Sequence, residues 1–267
     1  MNRASPPPPR AFTLIELLVV IAIIAILAGM LVPALITALT KTRIQRAKLE
    51  MSQIAGAIHR YESEYARFPI SSEAMAEATA KKQDFTFGTF GLVGFINPAG
   101  GTMEVVTVDD AGAQFSYQAN NSEVMAILLD KETVPESGAK TVNFGHAKNT
   151  RKEAVLDARL TSDKKSPGIG PDLVYRDPWG QPYVISLDVN YDEKCRDGFY
   201  RQQGVSQSGT GQAGFNGLVN SVDPNGGGNH FESTVQVMVW SAGPDRAVQN
   251  TKADQGGNKD NILSWKQ

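Results

Sequence analysis

After Glu16 the chain carries no charged residue until Lys41. The run between them, residues 17–40, is 24 residues long. As an α-helix rising 1.5 Å per residue it extends roughly 36 Å, which spans a hydrocarbon core of about 30 Å with some tilt. The expectation is a transmembrane helix. A cleaved secretory signal has an apolar region of only about 7–15 residues followed by a small-residue cleavage site, so this run is too long for one. A plain anchor fits poorly with Glu16. A carboxylate in an apolar helix costs about 2.5–3.5 kcal/mol near the bilayer centre and less near the interface, so such residues usually have a partner and a task. No cation lies at helical spacing from Glu16, so its partner is expected on another chain.

Averages over the 267 residues conceal this segment: 41% hydrophobic, 20% charged, formal net charge −2. They exclude a collagen-like chain, a wholly disordered one and a multi-span membrane protein. They lack the basic surplus of a nucleic-acid-binding surface, so no nucleic-acid partner is indicated. One cysteine, Cys195, excludes an intrachain disulfide framework. No zinc spacing, phosphate loop or nucleophile elbow is present. His59, His146 and His230 are far apart in sequence, and Cys195 between Lys194 and Arg196 reads as an inert thiol. The chain is not expected to be an enzyme.

Residues 1–10 are short, basic and Pro-rich, and cannot form a helix. Ala11-Phe12-Thr13-Leu14-Ile15-Glu16 leads from them into the apolar run, and residues 11–21 together resemble the class III signal of type IV pilins and type II secretion pseudopilins. The resemblance implies cleavage by prepilin peptidase between Ala11 and Phe12, then N-methylation of Phe12. Glu16 becomes the fifth mature residue and Pro33, the helix-kinking proline, the twenty-second. One position departs from the pattern: Ala11 stands where Gly is usual. The resemblance also implies that Glu16 of one subunit pairs with the Phe12 amine of its neighbour. A buried unpaired carboxylate is costly, so that pair selects the axial register.

Cations flank the run on both sides, with Arg3 and Arg10 before it and Lys41, Arg43, Arg46 and Lys48 after it. Counting positive charge alone favours a periplasmic N-terminus. The cleavable leader implies the opposite: a single pass of the inner membrane, N-terminus cytoplasmic, head in the periplasm.

Beyond Thr40 the helix is expected to continue. Ile44, Ala47, Met51, Ile54, Ile58, Tyr61 and Tyr65 alternate spacings of three and four, one apolar stripe, with Lys41, Arg43, Arg46, Lys48 and Glu50 on the other faces. From Phe12 to Ala66 such a helix runs about 80 Å. The expected organisation is a leader (1–11), a transmembrane and assembly half (12–40), an amphipathic half (41–67) and a head (68–267). Helices are predicted from Ser71 through Lys82 and from Asn121 to about Lys131. Strands are predicted at 104–108, 183–189 and 234–240. Residues 204–229, rich in Gly, Ser, Gln and Asn, read as a loop without core. The fold class is α+β: a long N-terminal helix on a small antiparallel sheet. Residues 81–171 match nothing in the resemblance and read as an insertion.

Asp177-Pro178-Trp179-Gly180-Gln181-Pro182-Tyr183 is a turn running into a strand. It is similar to the Asp-Pro-Trp-Gly-Asn-Pro-Tyr motif of major pseudopilins, with Gln181 replacing Asn, and reads as structural. Near the C-terminus, Ser241-Ala242-Gly243-Pro244-Asp245 and Asp260-Asn261-Ile262 enclose a polar loop with Asn250, Asp254, Gly256, Gly257 and Asn258. By composition it is either a solvated acidic loop or a set of oxygens for calcium, which takes six to eight. The resemblance implies calcium at residues 241–265. Asp245 and Asp260 match the acidic positions, Ala242 and Val248 supply backbone carbonyls, and Asn261 stands where a second Asp usually lies.

What the resemblance implies is a pseudopilus subunit that adds to a helical homopolymer. Its partners are copies of itself, minor pseudopilins, prepilin peptidase and an inner-membrane assembly platform. One alternative is a type IV pilin or minor pilin for adhesion, motility or DNA uptake. A second is an anchored, unprocessed periplasmic binding module.

Overall fold

The computed structural model describes residues 12–92, 95–97 and 101–266. The chain divides into two compact units, Met1–Thr42 and Arg43–Gln267. Helix α1, Leu14–Tyr65, runs through the boundary.

In the first unit the helix is apolar all round, as a segment dissolved in lipid must be. Its large apolar side chains from Leu14 to Leu39 are exposed, and it is long and apolar enough to cross a membrane. Helical structure continues through Pro33. Thr37 Oγ1 donates to the Pro33 carbonyl and Thr40 Oγ1 to that of Ile36, each at 3.0 Å, so these hydroxyls are satisfied within the helix.

In the second unit α1 buries one stripe. Ala47, Met51, Ile54, Ile58 and Tyr61 are buried as the periodicity requires, with Ile44 and Tyr65 packed at the margins. Glu50 departs from expectation. It was assigned to an outer face, yet it is 6% exposed. Its Oε1 accepts from Arg46 Nε at 2.8 Å and its Oε2 from the Tyr183 hydroxyl at 2.7 Å. Two strong donors offset the loss of water around the charge.

Two shorter helices precede and flank the sheet. Ser71 caps α2 (Ser72–Lys81), its Oγ accepting from Ala74 N, and the helix closes at Lys82 with φ 51°. α3 is Ser122–Leu128, shorter than predicted. Asn121 does not cap it. The buried Asn121 side chain is used across the fold, bonding the Tyr175 amide and the Tyr175 and Tyr183 carbonyls.

The strands are β1 (Phe85–Phe87), β2 (Phe95–Asn97), β3 (Gly101–Met103), β4 (Gly168–Ile169), β5 (Tyr175–Arg176), β6 (Val184–Leu187), β7 (Val219–Asn220), β8 (Phe231–Glu232), β9 (Val237–Ser241) and β10 (Ile262–Leu263). The principal sheet is antiparallel, in the order β1-β6-β9-β10. β6 lies within its predicted run, and β9 overlaps its run and ends one residue beyond it, at Ser241. Residues 104–107 form no regular strand. They run beside β1, where Thr107 Oγ1 accepts from Thr86 N at 2.8 Å and donates to the Thr86 carbonyl at 3.0 Å. Residues 81–171 are woven into the core: they supply edge strand β1 and the buried Val124, Ile127 and Leu128 of α3.

The sheet is buried on both faces. Phe85, Phe87, Ile185, Leu187, Val237 and Val239 join the stripe of α1 in one cluster. The alternate residues Val184, Met238, Trp240 and Leu263 join Phe95, Phe199, Tyr200 and Phe231 in another. Period-two alternation therefore sorts apolar residues between two cores instead of between core and water. The second core corrects the reading of 204–229 as coreless, because Val205 and Leu218 are each 1% exposed within it.

The Glu50 arrangement makes a prediction. Tyr183→Phe removes one donor and leaves a buried carboxylate oxygen unpaired, which costs about 1–3 kcal/mol. Chemical denaturation of the detergent-solubilised full chain measures this, and an unchanged midpoint contradicts it.

Candidate functional site

At the start of α1, Thr13 and Glu16 satisfy each other. The Thr13 amide and hydroxyl donate to Glu16 Oε2 at 2.8 and 2.6 Å, and the Glu16 amide donates to Thr13 Oγ1 at 3.3 Å. This is a capping box, Thr-x-x-Glu, with Thr13 at the N-cap. Glu16 is thus not a lone carboxylate in the isolated chain. It holds the first turn of its own helix, while the exposed Phe12 lies immediately before it. The Thr-x-x-Glu pattern is legible in the sequence, and its donors are a neutral amide and hydroxyl where a cation is expected. Pro33 lies inside the helix, exposed with its surroundings. Ala11 and the rest of the leader lie outside the described residues.

At the C-terminus the loop is anchored by the turn motif. Asp177 Oδ1 accepts from the amides of Trp179 and Gln181 at 2.8 and 2.9 Å, while Gly180 takes φ +87°. Asp177 Oδ2 accepts from Ser241 Oγ at 2.6 Å, and Ser241 Oγ accepts from the Gly243 amide at 3.0 Å. Gly243 has φ +70°, and a side chain there would collide with the Asp260 carbonyl. The two ends of the loop are therefore in contact. β10 pairs with β9, Ile262 opposite Ser241. Between the ends, Asn258 organises the backbone: its Oδ1 accepts from Gln249 N at 2.9 Å, and its Nδ2 donates to the carbonyls of Gln249 and Thr251 at 2.7 and 2.9 Å.

Asp245 and Asp260 are brought together. The Asp245 amide donates to Asp260 Oδ2 at 3.3 Å, and burial followed by the charge of Asp245 pushes the Asp260 carboxyl above its usual range. No ion pair among the described residues involves either carboxylate. Asp260 Oδ1 and Asn261 Oδ1 are buried and without a hydrogen-bond partner. Ala242 and Val248 are fully buried, and no backbone donor among the described residues bonds either carbonyl. Asp254 is exposed. No group of three or more His, Cys, Asp or Glu gathers among the described residues. The donor set is thus two carboxylates with neutral oxygens. That suits a hard cation such as calcium and does not suit zinc.

Residues 9–32 match the family model for the prokaryotic N-terminal methylation motif. No curated protein and no solved structure matches the chain. The methylation motif ends inside the apolar half of α1, so the sequence match and the lipid-soluble helix coincide. A processing signal of this kind followed by a long apolar helix is a type IV pilin-like arrangement. The prepilin-type motif implies processing by prepilin peptidase and polymerisation into filaments.

Two structural contributions are not legible in the sequence. Asn258 is named there only as one residue of the polar loop, with no sign that it organises the loop backbone. The Asp177–Ser241 bond joins residues 64 apart, and local pattern carries no trace of it.

Asp177 makes a testable anchor. Burial pushes its carboxyl up to about 6, against the stabilising effect of the Ser241 hydroxyl. Because the folded value lies above an unfolded value of about 3.9, the folded protein holds the extra proton between them. This group's contribution to stability therefore falls as pH rises from about 4 to about 6, then levels off. Carbon-13 carboxyl titration is expected to show a midpoint near 6. Ser241→Ala removes a donor that favours the ionised form and should raise the midpoint further; a fall is the contrary result.

Proposed function

We propose that this protein is a structural subunit of a type II secretion pseudopilus. It is stored as a single-pass inner-membrane protein with its head in the periplasm, cut between Ala11 and Phe12, methylated on Phe12 and added to a helical envelope filament. The observation that carries the reading is the methylation motif at residues 9–32 on an exposed apolar helix. The Asp177–Tyr183 turn and its bond to the C-terminal loop support the pseudopilin role over an adhesion or motility pilin.

In the free chain, Glu16 accepts from Thr13. Cleavage creates an amine on Phe12, four positions before that carboxylate. In the filament, the neighbour's Phe12 amine donates to Glu16. A cation in place of neutral donors strengthens the bond in a medium without water, so only the register that provides the pair is stable. Subunits related by such head-to-tail contacts build an open helix and do not close into a ring.

The same reading assigns calcium to the C-terminal loop. Asp245 and Asp260 would hold it with the carbonyls of Ala242 and Val248 and the Asn261 oxygen. When bound, it supplies positive charge between two carboxylates that otherwise repel. The loop residues then fasten the chain end against β9.

Mass spectrometry of the N-terminus is expected to find N-methylated Phe12; an intact Met1 overturns the processing step. Disrupting the gene is expected to retain exoproteins in the periplasm. Normal secretion combined with loss of a surface filament favours the pilin reading. Glu16→Ala should leave processing intact and slow polymerisation at least tenfold; wild-type polymerisation contradicts the assigned role. For calcium, a concentration of 100 Kd stabilises by about 2.7 kcal/mol. The full chain in detergent should melt several degrees higher in calcium than in chelator, and identical melts remove calcium from the proposal.

A further inference from the structure

We propose that Tyr200 is a positioning residue that aims the Asn261 oxygen at the cation, and that cation binding is thereby coupled to the aromatic core behind the sheet. The inference rests on the calcium reading above and goes beyond it, since Tyr200 lies 61 residues from Asn261 and outside the loop.

Asn261 precedes β10 and is half-buried. Its Nδ2 donates to the Tyr200 hydroxyl at 2.8 Å, whereas its Oδ1 is buried without a hydrogen-bond partner. The Asp260 Oδ1 one residue earlier is in the same condition. A carboxamide is planar, with its donor and acceptor on opposite sides of one carbon. Fixing the amino group therefore fixes the direction of the oxygen. A carboxylate at this position would present an acceptor whichever way it turned. An asparagine serves only in one of its two orientations, and the wrong one aims two N–H donors at a cation. Tyr200 selects between them.

The residue that selects is itself rigid. Tyr200 is fully buried. Its ring meets Trp240 edge-on at 5.2 Å and Trp265 at 5.4 Å, and it lies 5.1 Å from Phe199. Its amide donates to Asp197 Oδ1 at 2.8 Å, and the other oxygen of Asp197 accepts from Trp240 Nε1 at 2.9 Å. Edge-to-face packing of this kind adds to simple area burial. The hydroxyl is held from two tryptophan rings and one buried carboxylate, which is a firmer mount than a surface loop provides. Because a tethered amide transmits displacement to its anchor, pulling Asn261 toward a cation acts on Tyr200 and so on Trp240 and Trp265.

Calorimetric calcium titration of the detergent-solubilised full chain tests this with a double-mutant cycle. Tyr200→Phe keeps the ring and removes the hydroxyl. Its calcium Kd is expected to rise about two- to tenfold, the span of one hydrogen bond. In an Asn261→Ala background, which has already lost the oxygen, Tyr200→Phe should change Kd by less than about twofold. Asn261→Asp should restore tight binding when combined with Tyr200→Phe, since a carboxylate needs no orienting partner. Calcium should also shift the near-ultraviolet circular dichroism of the wild-type aromatic bands, and Asn261→Ala should lose that shift. Equal effects of Tyr200→Phe in both backgrounds, or no effect in either, overturn the proposal and leave the calcium reading standing. An unchanged aromatic spectrum on saturation overturns the coupling without recourse to any variant. Absence of calcium binding by the wild type removes the calcium reading itself, and the role of Tyr200 with it.

Discussion

A carboxylate on an apolar helix must be given donors, and α1 meets that requirement twice by different means. Glu16 is satisfied locally, by the amide and hydroxyl of Thr13. Glu50 is satisfied from outside its turn as well as within it, by Arg46 on the helix and Tyr183 at the start of the sheet. The first solution is more easily exchanged: its donors are exposed and belong to the first turn of the helix. The second is fixed, because the hydroxyl comes from a buried ring that burial and the Glu50 charge keep protonated. A replaceable partner suits a group whose task lies in assembly, and a permanent one suits a group that holds a helix to its sheet.

This difference also explains what could be read in the sequence. The apolar run and the stripe from Ala47 to Tyr61 are local periodicities, and the structure repeats them. So are the Ser71 cap and the alternation of β9. Glu50 was misassigned because charge outweighs periodicity in any local reading, and its justification is a hydroxyl 133 residues away. Asn121 shows the same limit: its position opens a helix in local pattern, but its side chain bonds the carbonyls of Tyr175 and Tyr183. In residues 204–229 composition misled differently. Glycine and asparagine dominate, yet two apolar residues, Val205 and Leu218, are enough to fasten the segment to a core that already exists.

That second core changes what the C-terminal loop can be. A sheet with one wet face would leave the chain end lying on solvent. Here the far face is lined by Trp240, Tyr200 and Phe199, and the loop contributes Val248 and Ala253 to the same cluster. Polar atoms beneath are also paired, although Trp265 Nε1 is buried without a partner. Ser186 Oγ and Trp240 Nε1 both donate to Asp197, and Ser241 donates to Asp177. The loop is therefore founded on buried, satisfied groups. In the loop, the buried acceptors without a hydrogen-bond partner among the described residues are Asp260 Oδ1 and Asn261 Oδ1.

Two neighbouring buried acceptors without a donor, beside two carboxylates held close, are a directional feature. A solvated acidic loop would turn its carboxylates outward and apart, where water at high dielectric makes their repulsion small. This loop instead uses the left-handed Gly243, the Asp177–Ser241 bond and the β9–β10 pairing to bring residues 245 and 260 together. Among the described residues, no lysine or arginine is paired to either. Bringing like charges together costs free energy, and the Ala247 and Asp245 amides, which donate to Asp245 Oδ1 and Asp260 Oδ2, offset only part of it, since the Asp260 carboxyl is still pushed above its usual range. Under the proposed function a cation from solution offsets that repulsion, and the rigidity of the chain end is then tied to its ionic surroundings, which differ on the two sides of a membrane that α1 is long enough to cross.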